Sequence, residues 1–328
     1  MLTLSFSMTK KKKRYPRDES LYNRIQEDEL PLYFALMPGA VLAVIDRDDL
    51  WEGIGRPPAK LYDILISLFV MKYFNLSLRR NIGLLRLLNN TKLININIPC
   101  FKTLDNYLNN PIIGKYLQNV IELTSVLYTQ VEHYMATDAT GISTNCSSTW
   151  YNIRVCKKSK RKDHLMVHIT TGTRSNVVVA IDVCNKKGRD NVIFRSHVER
   201  VDKNFKVDEW SGDSLYLTRE NCNAVNEIGA EPWFKLKSNT TAKPKGSPTW
   251  KRMVNLSKEH PEIAEPKYHR RSNVESTNSA KKRKFGNSVR CKLPIAQRNE
   301  ETLSWVNYNF SLIPRAKYEF GIKPAFAC

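Results

Sequence analysis

The sequence predicts an α/β protein: a mixed sheet flanked by helices and preceded by an all-α N-terminal region. Three observations carry this. Residues 28 to 130 repeat apolar side chains at helical spacing. Near residue 134 the period shortens to runs rich in β-branched and aromatic residues, and after residue 190 helical and strand-like runs alternate.

The chain opens with a basic arm, residues 1 to 20, in which KKKKRYPR at 10 to 17 carries six basic groups and no acid. The region 21 to 130 follows. LYDILISLFVMKYF is apolar on nearly all sides, as a buried helix is, and RRNIGLLRLLNN repeats Ile82, Leu85 and Leu88 on one face. After Pro99, CFKTLDNYLNN reads either as the second helix of a helix-turn-helix or as an ordinary core or dimer helix. From 131 to 313, YMATDATG, STWYNIRVC, LMVHITTG and NVVVAIDVC read as strands. NVIFRSHVERVDKNF reads as a helix, VDEWSGD as a strand, TRENCNAVNEIG as a helix and AEPWFKLK as a strand. A polar loop, SNTTAKPKGSPTW, leads into helices from about 249. Residues 314 to 328 form a separate tail.

Fifty-two Lys and Arg against 32 Asp and Glu leave a net charge of +20, which points to a polyanionic partner. Seven cysteines without a CxxC pair indicate free thiols in a reducing compartment and argue against a zinc ribbon. The apolar run ILISLFVMKYF is about half a membrane span and contains Lys72. A cytoplasmic protein with no membrane association is therefore expected.

One stretch breaks the charge pattern. Between Lys267 and Lys292 stand nine basic residues and one acid, Glu275. On a helix with about 100° per residue, Tyr268, Arg271, Glu275 and Lys282 share an arc of about 60°. The same spacing also fits a solvated helix in which Arg271 and Glu275 simply pair at i,i+4. Asp138, ending an apolar strand before Thr-Gly, cannot be ranked by pattern alone above Asp182, Asp190, Glu199, Asp202, Asp208 or Glu209. Asp163, His164 and His168 read as strand and turn residues, and Trp150 and Tyr151 either pack on the sheet or stack on a base.

The spacing Tyr268-(2)-Arg271-(3)-Glu275-(6)-Lys282 resembles the Y-(2)-R-(3)-E-(6)-K signature of bacterial and archaeal insertion-sequence transposases of the DDE class. The likeness extends through TDATG at 137 to 141, STWYNIR at 148 to 154, SGDSLY at 211 to 216 and KSNTTAKPKGSPTW at 237 to 250. It implies an RNase H-like catalytic domain in which Asp138, Asp213 and Glu275 hold two Mg²⁺ ions, with Mn²⁺ able to substitute. Two such ions about 4 Å apart activate an attacking water or 3′-hydroxyl and stabilise the departing oxygen. Tyr268, Arg271 and Lys282, with Arg270, Lys281, Arg283 and Lys284, would hold DNA phosphates, or Arg271 would orient Glu275. The implied partners are double-stranded DNA, both element ends and target, and a second copy in a homodimer. A nuclease that cuts without joining, or an inactive DNA-binding descendant, are the alternatives. Two features depart from the family pattern: Ser214 stands where many relatives carry Lys, and the tail after about 313 is unfamiliar.

Overall fold

The computed structural model describes residues 18–45, 58–144, 154, 164–184 and 190–326. Most of the basic arm, the expected strand at 148 to 156 apart from Arg154, the basic stretch KKSKRK at 157 to 162, and Trp150, Tyr151 and Asp163 lie outside the described residues.

Six helices come first: α1 (Glu19–Glu27), α2 (Glu29–Val44), α3 (Leu61–Tyr73), α4 (Leu78–Asn90), α5 (Phe101–Leu108) and α6 (Pro111–Val126). Local chemistry sets their starts. Asp18 accepts the Leu21 N–H at the head of α1, and Asn110 accepts the Ile112 N–H with Pro111 in the first turn of α6. α3 is buried all round, from Asp63 to Lys72. Each fully buried Leu, Ile, Val or Phe there contributes about 1.5–3 kcal/mol of apolar transfer. Lys72 enters this core because Glu300 meets it at 3.2 Å. Among the described residues no single helix is long and apolar enough to cross a membrane. On α5, Leu104 and Leu108 face inward, while Phe101 is exposed under the Arg79 guanidinium.

The sheet follows, built from β1 (Tyr134–Ser143), β2 (His164–Gly172), β3 (Val178–Cys184), β4 (Glu209–Gly212) and β5 (Glu231–Phe234) in the order β3-β2-β1-β4-β5. β1 is central, antiparallel to β2 and parallel to β4, so the sheet is mixed as expected. α7 (Asp190–Asp202) and α8 (Arg219–Glu227) connect the later strands, and α9 (Pro248–Glu259), α10 (Pro261–His269), α11 (Ser272–Phe285) and α12 (Pro294–Glu319) follow. α7 covers one face, with Phe194 against Trp210 and Phe234, while α11 packs on the other face against β1 and β2. This is an RNase H-like α/β fold behind an all-α region.

α12 joins the two parts. It packs against α2, α3 and α6 as well as β3, so one connected apolar core runs from Tyr33 on α2 to Ala316. Its buried polar residues find partners: Asn307 bonds the Tyr33 hydroxyl and the Phe69 carbonyl, and Asn309 bonds both the N–H and the C=O of Val178. The helix also runs past the expected boundary at 313, through Pro314 to Glu319. Ile313, Pro314 and Ala316 are buried, and that packing offsets the backbone hydrogen bond lost at the proline.

Candidate active site

Asp138 lies midway along β1, with Thr137 and Ala139 turned to the opposite face by the two-residue period. Asp213 follows the last residue of β4, which runs parallel to β1 with Thr137 opposite Gly212. Gly212 is required there: a Cβ would sit 2.9 Å from the Phe234 ring. Glu275 is in the first turn of α11, where a carboxylate is favoured by the helix dipole. The three carboxylates lie within electrostatic reach of one another. Burial, with the charges of Asp213 and Glu275, pushes the Asp138 carboxyl above the usual range against the pull of Arg271 and of the Ala139 N–H.

Arg271 bridges two of them, with Nη1 2.6 Å from Glu275 Oε1 and Nη2 3.5 Å from Asp138 Oδ1. The Arg271 and Asp138 side chains are each 16% exposed and the Glu275 side chain 59%. The Arg271 Nε–H is buried with no partner. Burial pulls the guanidinium toward its neutral form, but the Glu275 bond and the Asp138 charge outweigh it and raise its proton affinity. Burial and the same three carboxylates keep the Tyr268 hydroxyl protonated above the usual phenol range, with Arg271 opposing.

A single helix from Tyr268 to Lys282 is not what forms. α10 stops at His269 and α11 starts at Ser272, with Arg270 and Arg271 at the joint. Both joint residues keep right-handed helical dihedrals, so Tyr268, Arg271 and Glu275 still converge. Lys282 joins them from the far end of α11, donating to Thr140 Oγ1 at 2.6 Å, two residues along β1 from Asp138.

The other expected phosphate contacts diverge. Lys281 is a correction: it is fully buried, 2.5 Å from Glu301 and under the Trp305 ring, because it lies about 120° around the helix from Glu275 and faces α12. Arg270 pairs with Glu209 and stacks on Tyr134 at the opposite ends of β4 and β1 from the carboxylates. Lys284 pairs with Glu29 of α2. Arg283 is exposed. His168 is a buried strand residue bonded to the Tyr216 hydroxyl, as its position implied. Asp182, one of the acids that pattern could not rank, is held by Arg200 and His197 on the far side of the sheet.

Sequence reasoning missed what lies beneath Asp138. A hydrogen-bond chain crosses the sheet: Trp210 Nε1 to Thr137 Oγ1 at 2.9 Å, Thr137 to Thr170 at 2.7 Å, Thr170 to His197 Nδ1 at 2.8 Å and His197 Nε2 to Asp182 at 3.1 Å. Its polarity is fixed by its ends. Indole only donates and carboxylate only accepts, so each hydroxyl donates toward His197, whose Nε2 carries the proton. The chain ties β4, β1, β2, α7 and β3 together directly behind the carboxylates.

Carboxylates are the hard oxygen donors that Mg²⁺ takes, and their mutual repulsion calls for a cation, so the donor set fits the ion implied by the sequence. As they stand, no three His, Cys, Asp or Glu side chains among the described residues lie close enough together to hold one. The charge at that position belongs to Arg271.

A family model for the transposase DDE domain matches residues 133–310, more than half of the 328-residue chain. The chain belongs to the DDE transposases. The match begins one residue before β1 and ends inside α12, so it takes in all five strands and all three carboxylates and leaves α1 to α6 outside. A search of curated proteins finds no match. DDE transposases act by phosphoryl transfer on DNA with divalent metal ions, and the net charge of +20 accords with such a partner.

Proposed function

We propose that this DDE transposase cuts DNA at the ends of an insertion sequence and transfers the freed 3′-hydroxyl into target DNA, with Asp138, Asp213 and Glu275 as its catalytic carboxylates. The observation that carries the reading is the convergence of those carboxylates, from β1, the end of β4 and the start of α11, beside Arg271 and Tyr268. Two Mg²⁺ ions, or Mn²⁺, held by the three carboxylates would supply Lewis acidity at the scissile phosphate. The protein's other residues bind and orient. Lys282, held over β1 by Thr140, presents an ammonium to a backbone phosphate. Arg271 offers a planar fork of donors, and Tyr268, protonated, offers a hydroxyl. In this reading α1 to α6 and the basic arm bind element ends or a second copy, and the protein acts on DNA in the cytoplasm.

The test is strand joining on the element's own terminal repeats with Mg²⁺ or EDTA, comparing wild type with Asp138→Ala, Asp213→Ala and Glu275→Ala. Wild type should cut and join, and each variant should fall by orders of magnitude while remaining folded. Alanine variants that cut as well as wild type would overturn the site. Hydrolysis of pre-cut 3′-hydroxyl ends without joined products would favour a nuclease.

A further inference from the structure

Arg271 stands where the fold leaves a cation to be supplied. It is tied to two of the three carboxylates at once, its Nε–H is buried without a partner, and it sits at the joint between two helices. A guanidinium finished as a structural residue would have its donors satisfied, since an orphaned buried donor costs about 1–3 kcal/mol. Its fork reaches DNA only by leaving the cluster, because both Nη atoms face carboxylates here.

We propose that Arg271 is an exchangeable counter-ion: without DNA it occupies the carboxylate cluster and competes with divalent metal, and a DNA phosphate draws it out, so that metal and DNA load together. The proposal rests on the metal-holding role of the three carboxylates. A phosphate offers a guanidinium the same bidentate geometry that a carboxylate does, so the exchange trades like for like and its balance can tip on binding. The exchange asks only for rotation of the Arg271 side chain, which projects from the joint between α10 and α11. Coupling of this kind is reciprocal: if DNA raises metal affinity by some factor, metal raises DNA affinity by the same factor. The cut is then restrained until the substrate is in place.

The experiment is Mn²⁺ titration by calorimetry on the full-length chain, without DNA and with a short duplex of arbitrary sequence, since phosphate contacts are independent of sequence. Arg271→Gln, neutral and close in length, should bind Mn²⁺ about threefold to tenfold more tightly than wild type without DNA, the scale of a charge-assisted pair removed. Adding duplex should tighten Mn²⁺ binding by wild type and change it little in Arg271→Gln. Arg271→Lys, whose single ammonium cannot span two carboxylates, should fall between them, and it provides the comparison should the glutamine variant fail to fold. Equal or weaker Mn²⁺ binding by the Arg271 variants, alongside binding that Glu275→Ala abolishes, would overturn the exchange while leaving the metal site standing. Mn²⁺ binding that Asp138→Ala and Glu275→Ala leave intact would overturn the site reading itself, and the exchange with it.

Discussion

The hydrogen-bond chain behind Asp138 requires a neutral His197, and this sets how the fold responds to acid. A histidine ordinarily takes up a proton near 6.5; complete burial, aided by Arg200 and His168, pushes His197 down to about 4 in spite of its bond to Asp182. Between those values the unfolded chain holds a proton that the native chain refuses. Its contribution is therefore full above about pH 6.5 and is lost as the pH falls toward 4. At about 1.4 kcal/mol for each tenfold difference in proton affinity, the full loss is about 3 kcal/mol, a sizeable share of the stability of a typical domain. Asp182 acts lower on the scale: His197 and Arg200 overcome its burial and hold its carboxyl below the ordinary range, so its own contribution is lost only at stronger acidity. Urea unfolding followed by tryptophan fluorescence at several pH values from about 7 to 5, on wild type and His197→Gln, measures the effect. Glutamine can place an N–H near Nε2 and keep the bond to Asp182, but it cannot titrate. Wild type should lose about 2 kcal/mol more than the variant across that interval. Parallel stability curves for the two proteins would refute the reasoning.

Other outcomes follow from the same geometry. Asp138→Asn removes a charge that the fold penalises, so without divalent metal it should raise Tm above wild type in neutral buffer, with the gain vanishing in acid where Asp138 is protonated. Lys281→Ala leaves Glu301 buried opposite a lost partner and should cost about 3–5 kcal/mol in urea unfolding. Lys282→Ala should leave stability nearly unchanged but lower the slope of log Kd for duplex DNA against log salt by about one, which a fluorescence-anisotropy titration reads.

The elements of the fold were legible because their signals are local. α3 shows its burial in an apolar run without a polar side, and β1, β2 and β3 show theirs in β-branched content. Asp138, Asp213 and Glu275 were singled out only through family resemblance, since Asp182 sits on an equally apolar strand and faces the other way to hold Arg200. Failures came where the deciding partner is distant in sequence. Nothing near Lys281 announces Glu301 on the next helix, and nothing near Arg270 announces Glu209 on β4. The chain through Thr137, Thr170 and His197 left a faint trace: polar side chains at inward positions of otherwise apolar strands, which in a buried sheet imply partners across it.

The isolated acid of the basic run has two sufficient causes that can be separated. α11 carries Glu275 in its first turn and Lys282, Arg283 and Lys284 in its last, the arrangement a helix dipole favours whatever the protein does. That cause, together with a pair to Arg271 in which Glu275 itself is 59% exposed, is worth about 1 kcal/mol. A metal-holding Glu275 makes a different demand, because the amide of Glu275→Gln keeps the size and much of the hydrogen bonding of the side chain but loses the charge a dication needs. If the dipole explains the residue, Glu275→Gln should lower stability slightly and leave Mn²⁺ binding unaltered. If the carboxylate cluster explains it, the same variant should melt within about 1 kcal/mol of wild type while its Mn²⁺ affinity falls by at least about tenfold, a loss too large for the first turn of an exposed helix to supply. Calorimetry and urea unfolding on that one variant decide between them, and affinity unchanged from wild type would remove Glu275 from the site.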